Sequence, residues 1–237
     1  MVDIKKTNYL LITILIIGCW FFITGLVQSQ TSQTDITLIW STDTYTPLGY
    51  QGKALPVRGS NIEVVANIDD SRIDSENLIY NWFINDYFQE ESSGLNKQVL
   101  KFNTEVTINN KNVIRLEIKN TNNIFLGIAY LSIETSEPEI VLYVKNLSNK
   151  YEIKSNQEAQ FVAKPYFFNI SNTNELNYKW KFDGQEALKI DENNPNTLIL
   201  KINELTESIK KKLEIIAENK NNKDQKAQRI IEITLIP

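Results

Sequence analysis

Leu78-Ile79-Tyr80-Asn81-Trp82-Phe83-Ile84-Asn85-Asp86 recurs further along the chain as Leu176-Asn177-Tyr178-Lys179-Trp180-Lys181-Phe182-Asp183-Gly184. Each run sets Leu, Tyr and Trp at alternate positions, so all three fall on one face of a strand, and each closes on turn residues. Working outward, the flanking segments repeat in the same order. Ile36-Thr37-Leu38-Ile39-Trp40 answers Glu139-Ile140-Val141-Leu142-Tyr143-Val144, and Ile62-Glu63-Val64-Val65-Ala66 answers Ala159-Gln160-Phe161-Val162-Ala163. Downstream, Gln98 to Phe102 answers Thr197 to Ile202, and Asn112 to Asn120 answers Lys211 to Asn219. A closing strand then runs from Leu126 to Glu134 or from Ala227 to Leu235. Preserved order marks a tandem repeat.

These segments are short and rich in Val, Ile, Phe, Tyr and Thr, as strands with one buried face must be. Asn120-Thr121-Asn122-Asn123 and Asn219-Lys220-Asn221-Asn222 separate the last two strands of each repeat, so both ends read as β-hairpins. Six or seven short strands per roughly 100 residues is the pattern of an antiparallel immunoglobulin-type sandwich. The expected fold class is therefore all-β. Two tandem antiparallel Ig-like sandwiches span 35–135 and 139–237, divided at Thr135-Ser136-Glu137-Pro138, and follow an N-terminal apolar helix within 1–29.

The Tyr-x-Trp, the turn after it and a late alternating strand ending in Asn resemble the PKD and related Ig-like repeats of exported bacterial cell-envelope proteins. The resemblance covers both halves, although neither Asn112 nor Lys211 follows the Gly-x-Tyr that PKD repeats usually carry. It implies a core position for Trp82 and Trp180 on the inner sheet face, and a generic adhesive or structural role. Tyr80 and Tyr178, two residues earlier on the same face, are expected core residues with them.

The 237 residues include 25 Lys plus Arg, 29 Asp plus Glu and no His, for a formal charge of −4 and a pI near 5.1. There is no basic excess of the kind phosphate backbones attract, so nucleic acid is not an expected partner. Absence of His removes Ser-His-Asp and Cys-His nucleophile pairs, His zinc sites and imidazole proton shuttles. No constellation of carboxylates, Lys, Tyr or Ser stands out in their place. The chain is read as non-enzymatic, with no cofactor.

Tyr9 to Val27 carries no charge, follows Lys5 and Lys6, and precedes the polar run Gln28-Ser29-Gln30-Thr31-Ser32-Gln33. Nineteen residues rise about 28 Å as a helix, close to a bilayer core and longer than the usual signal-peptide apolar region. Three readings stay open: an uncleaved membrane anchor, a signal peptide cleaved after Ser29, or a lipoprotein acylated at Cys19. All three export the remainder, because the basic residues stay cytoplasmic. The expected location is outside the cytoplasmic membrane, anchored there or secreted. Cys19 is the only cysteine, so the exported part has no disulfide framework.

The two repeats differ most after their first strand. There the first half inserts Ser41 to Ser60, with three of the eight Gly and two of the six Pro, where the second has only Lys145 to Gln157. Loops of this length are usually functional or packed by their own side chains. Tyr45, Tyr50, Lys53 and Arg58 form the expected contact surface for an envelope or surface protein or a glycan, aromatic anchors beside cations. The competing reading folds the aromatics back as a cap on the core or a cover for an edge strand. An alternative role is a structural subunit that self-associates through strand edges.

Asp69-Asp70 with Asp74, or Asp183 with Asp191, offer oxygen ligands for calcium, but none has the spacing of a specific calcium loop. They read as solvated acids, as do Glu90-Glu91, and no metal site is expected. Lys210-Lys211-Lys212 reads as a solvated or edge-protecting patch. The Asn-x-Ser sequons at Asn146 and Asn169 follow from the 28 Asn in the chain and carry no expectation of glycosylation.

Overall fold

The computed structural model describes residues 35–69, 77–104, 111–145, 151–187, 190 and 193–237. The apolar segment 9–27 with Cys19, the acids Asp70, Asp74 and Asp191, and the sequon at Asn146 lie outside the described residues. Among the described residues no helix is long and apolar enough to cross a membrane, and the structure is strand and loop apart from short 3-10 turns such as Thr173–Glu175.

The first half holds β1 (Ile36–Thr42), β2 (Asn61–Ile68), β3 (Leu78–Ile84), β4 (Tyr87–Phe88), β5 (Gly94–Leu95), β6 (Val99–Asn103), β7 (Lys111–Asn120) and β8 (Phe125–Glu134). The second holds β9 (Glu139–Lys145), β10 (Glu152–Lys154), β11 (Glu158–Tyr166), β12 (Leu176–Phe182), β13 (Gln185–Glu186), β14 (Thr197–Lys201), β15 (Ile209–Asn219) and β16 (Lys226–Ile236). A sheet ordered β1-β2-β6 packs on one ordered β4-β3-β7-β8, with β5 also on β3. In the second half, β14-β11-β9 packs on β10-β16-β15-β12-β13. Each half thus has the two-sheet order of an immunoglobulin-type sandwich.

Alternation explains why the halves close. In β7, Asn112, Ile114, Leu116 and Ile118 are buried while their neighbours are not, and β15 repeats this with Leu213, Ile215 and Ala217. One cluster gathers Ile62, Val64, Leu78, Trp82, Leu100, Leu116 and Ile133; the other gathers Ile140, Phe161, Leu176, Trp180, Leu198, Ile215 and Ile233. Trp82 and Trp180 are fully buried. At 150–250 Å² each, such side chains contribute about 4–6 kcal/mol of transfer free energy before entropy is counted.

Both indoles are anchored in the same way. Trp82 Nε1–H donates to the Lys97 carbonyl at 2.8 Å, and Trp180 Nε1–H donates to the Pro195 carbonyl at 3.0 Å, so neither donor is buried unpaired. Tyr80 and Tyr178 lie beside them, buried. The turns that follow are left-handed at both central positions, Asn85 (φ 49°) and Asp86 (φ 66°) in one case, Asp183 (φ 52°) and Gly184 (φ 81°) in the other. That is the hairpin geometry Asn, Asp and Gly favour.

One segment departs from expectation. The stretch Lys145 to Gln157, read as a short connection, contains β10, which pairs parallel to Thr234–Ile236 of β16. Ile153 at its centre is fully buried in the second core. A three-residue strand with a single inward side chain leaves too short a pattern to read.

Candidate functional site

The loop after β1 leaves its own sandwich. Tyr45 N–H donates to the Phe168 carbonyl at 2.8 Å and Phe167 N–H donates to the Tyr45 carbonyl at 2.7 Å, an antiparallel bridge between the halves. The Tyr45 side chain packs against the second core. It lies near the Tyr178 phenol, which has no hydrogen-bond partner and which burial, with Tyr45 beside it, holds protonated well above the ordinary tyrosine range.

A polar network secures the far end of the loop. Ser60 Oγ accepts from Val57 N–H at 2.9 Å and donates to Asn169 Oδ1 at 2.8 Å. Asn169 Nδ2 and Gln225 Nε2 both donate to the Arg58 carbonyl at 3.2 Å. The turn that presents these groups needs Gly59, whose φ is +81° and whose added Cβ would come within 3.4 Å of Asn169 Nδ2. Beside it, Ser136 N–H donates to the Pro56 carbonyl at 2.7 Å, so the connection between the halves is itself held by the loop. The sequon amide of Asn169 is thus already in use.

The four loop residues singled out from sequence are therefore distributed as follows. Tyr45 is half-buried against the second half. Tyr50, still partly exposed, meets the rings of Tyr166 and Phe167 edge-on at 5.5 and 6.0 Å. Lys53 turns back onto its own sandwich, with Nζ 3.4 Å from the Trp40 ring centroid, and burial there lowers its pKa. Arg58 contributes its carbonyl to the network and leaves its side chain exposed. Leu48, at the tip, is fully exposed.

A second feature was not singled out from sequence. The pairing register aligns Phe88 with Phe83, Phe83 with Arg115, and Arg115 with Tyr130, one residue from each strand of the β4-β3-β7-β8 sheet. All four face outward. Phe83 and Phe88 pack at 5.4 Å between centroids, and the Arg115 guanidinium lies 3.7 Å from the Phe83 centroid. Arg115 is fixed further by Glu117 and by Asp86 at 3.7 Å. Phe88 and Tyr130 remain 52% and 66% exposed, at the two ends of the row.

The equivalent row of the second sandwich reads Glu186, Lys181, Glu214, Ile230. Lys181 pairs with Glu214 at 3.4 Å, and Gln228 donates to the same carboxylate at 2.8 Å. The corresponding apolar signal was present in the sequence. Phe83 and Tyr130 are aromatic where an outward position is usually polar, and laying one repeat over the other sets them against Lys181 and Ile230. Only the register shows that they line up.

Other candidates resolve more simply. Lys210 and Lys211 pair with Glu232 at 2.7 Å and Asp183 at 2.5 Å, and β15 is an interior strand, so the lysines do not guard an edge. The Lys211 ammonium holds the Asp183 carboxyl below its usual range. Among the described residues no group of three or more Cys, Asp or Glu side chains is placed to hold a metal ion.

No protein-family profile matches the sequence, and no curated protein sequence does. Solved structures do show similarity at low identity. The three N-terminal domains of the highly immunogenic outer capsid protein of bacteriophage RB49 match at 15% identity with a TM-score of 0.43, covering 85% of this chain and 59% of that one. Fibronectin(III)-like modules of Clostridium thermocellum CbhA match at 11% identity and TM-score 0.28, covering 84% and 93%. Sidekick-1 immunoglobulin domains 1–4 match at 12% identity and TM-score 0.29, covering 89% and 50%. The chain thus spans about three-fifths of the phage capsid protein segment it resembles, and its fold assignment rests on the strand order and register above.

Proposed function

We propose that the protein is an exported, non-enzymatic binding module of the cell envelope, anchored or secreted through residues 1–29, which meets a protein partner with the outer face of its first sandwich. The row Phe88-Phe83-Arg115-Tyr130 carries this reading. Aromatic and arginine side chains are enriched where binding energy concentrates, and Phe83, Phe88 and Arg115, already packed on one another, lose little freedom on contact. The second sandwich, with its charged and paired face, serves as a spacer that holds the first. The loop 41–60 joins the two, and in this reading the contact expected from sequence at Tyr45, Tyr50, Lys53 and Arg58 is secondary to the row.

The test is a photo-crosslinking amino acid placed at Phe88, with the same probe at Glu186 as the matched position in the second sandwich. A discrete partner captured from Phe88 alone, and lost on Arg115→Ala, supports the reading. Equal capture from both positions, or capture indifferent to Arg115, defeats it.

A further inference from the structure

We infer that β8 is a self-pairing edge, through which two copies of this chain join antiparallel into one continuous sheet. This goes beyond the binding reading and stands without it. Among the described residues β8 pairs with β7 on one side and with no strand on the other; the loop after β1 meets it only past its end, where Ser136 N–H donates to the Pro56 carbonyl. Such an edge is a template for another strand unless charge, proline, a bulge or shortness blocks it. Phe125 to Ile133 contains no charge and no proline. The one irregularity is a bulge in β8 at Leu126, between the pairs Ile118–Gly127 and Lys119–Phe125; it sits at the hairpin end and leaves Gly127 to Ile133 regular.

The second sandwich shows what protection looks like. Its corresponding strand, β16, carries Lys226, Arg229 and Glu232, with Arg229 exposed at a register position that would otherwise face inward, and β10 covers the end of the strand. Most other free edges are short or charged: β4 and β13 have two residues, β10 has three, and β6, β9 and β14 contain Lys. The remaining uncharged edge, β1, has Lys53 lying over its Trp40.

A second copy fits this edge for reasons visible in the strand. An antiparallel edge is complementary to itself, and a charge-free edge meets its copy without repulsion. With the two-fold axis at Ala129 or Tyr130, most of the regular stretch from Gly127 to Ile133 overlaps its copy and the outer faces stay on one side. Both registers set the two Tyr130 side chains opposite or diagonal across the seam, among the outward Ile128 and Ser132. Each also brings Glu134 of one copy toward Lys119 of the other, at both ends. Ten residues a side is about a third to a half of the 20–30 typical of a stable interface, so the dimer is weak and concentration-dependent. It would set two Phe88-Phe83-Arg115-Tyr130 rows end to end.

Sedimentation of the full-length chain across the micromolar range is the test. The expected result is a monomer–dimer equilibrium that Ile128→Lys with Tyr130→Lys weakens about tenfold or more, equivalent to 1.4 kcal/mol per tenfold. Gln228→Lys with Ile230→Lys, at the corresponding register of β16, should leave it unchanged. Since a double variant can misfold, a second measurement uses Cys19→Ser with Tyr130→Cys, which should crosslink to dimer with a short bismaleimide while Cys19→Ser with Ile230→Cys does not. A monomer at every concentration, a dimer indifferent to the β8 changes, or equal crosslinking from both positions overturns the proposal.

Discussion

The two sandwiches share their inner faces and differ on their outer ones. Trp82 and Trp180 are buried at matching points of matching strands, and each donates to a carbonyl two residues before a strand of the facing sheet, β6 or β14. On the opposite face of the same strands stand Phe83 and Lys181, then Arg115 and Glu214, then Tyr130 and Ile230. Folding constrains the inner set tightly because a cavity or a buried polar group there costs several kcal/mol. The outer set is nearly free to vary, and it is there that the first half is aromatic while the second carries an ion pair.

The largest effects should come from breaking the shared feature. Trp82→Ala and Trp180→Ala should each cost about 3–5 kcal/mol. In urea unfolding followed by Trp fluorescence and circular dichroism, the altered sandwich should melt first, so that two transitions replace one. A single shifted transition would mean that the halves unfold as one unit and that the comparison holds in sequence only.

Tyr45→Ala should cost about 2 kcal/mol, and although the residue follows β1 the loss should appear in the second sandwich, whose core it covers. Hydrogen exchange can locate it. Protection lost from β1 and β2 instead would show that Tyr45 serves its own half. Ser60→Ala should cost about 1–3 kcal/mol by leaving the Val57 N–H without its acceptor, with a matching loss of protection around Asn169.

Tyr178 sharpens the comparison through pH. Its phenol is buried without a partner and its pKa is raised, so the neutral form is the one the fold favours. The stability this confers is complete below the unfolded tyrosine pKa of about 10 and is lost as pH rises beyond it. Alkaline titration should therefore weaken the second sandwich. Tyr178→Phe should remove that part of the pH dependence and leave neutral-pH stability unchanged or higher by up to about 1 kcal/mol. Continued alkaline loss of the same size in the variant would assign it to another group.

The smallest effect tests the outer faces. Lys181→Ala should change stability by less than about 1 kcal/mol, as a partly exposed ion pair does. Arg115→Ala should cost more, because the guanidinium also covers Phe83 and its removal exposes the ring. Equal losses would mean that the aromatic row is no better ordered than the ion-paired one.

Strand order, the Asn-rich hairpins and the place of the two tryptophans were legible because each depends on neighbours in sequence, through alternation, turn chemistry and repetition. The loop after β1 was legible as an anomaly, but not its destination. Phe168, Asn169 and Gln225 lie far along the chain, and nothing local in Tyr45 or Ser60 distinguishes a cap on the next sandwich from a contact for a partner. The row Phe88-Phe83-Arg115-Tyr130 was hidden for a different reason. Phe83, Arg115 and Tyr130 fall at alternate positions of segments the repeat marks as strands and Phe88 falls in none of them; which of the four stand side by side is set by turn length and register, and a slip of one residue would scatter them.

The grip of Pro56 on Ser136, taken with the bridge from Tyr45 to Phe168, has a mechanical meaning. Two sandwiches joined by the connection at 135–138 alone could twist about it, and a pull on one end would only straighten the chain. With the loop fastened both to that connection and to the far sandwich, the same pull loads hydrogen bonds at separate points together. Turning the first sandwich would then turn the second along with it, so that tension applied at one end reaches the other with its direction intact.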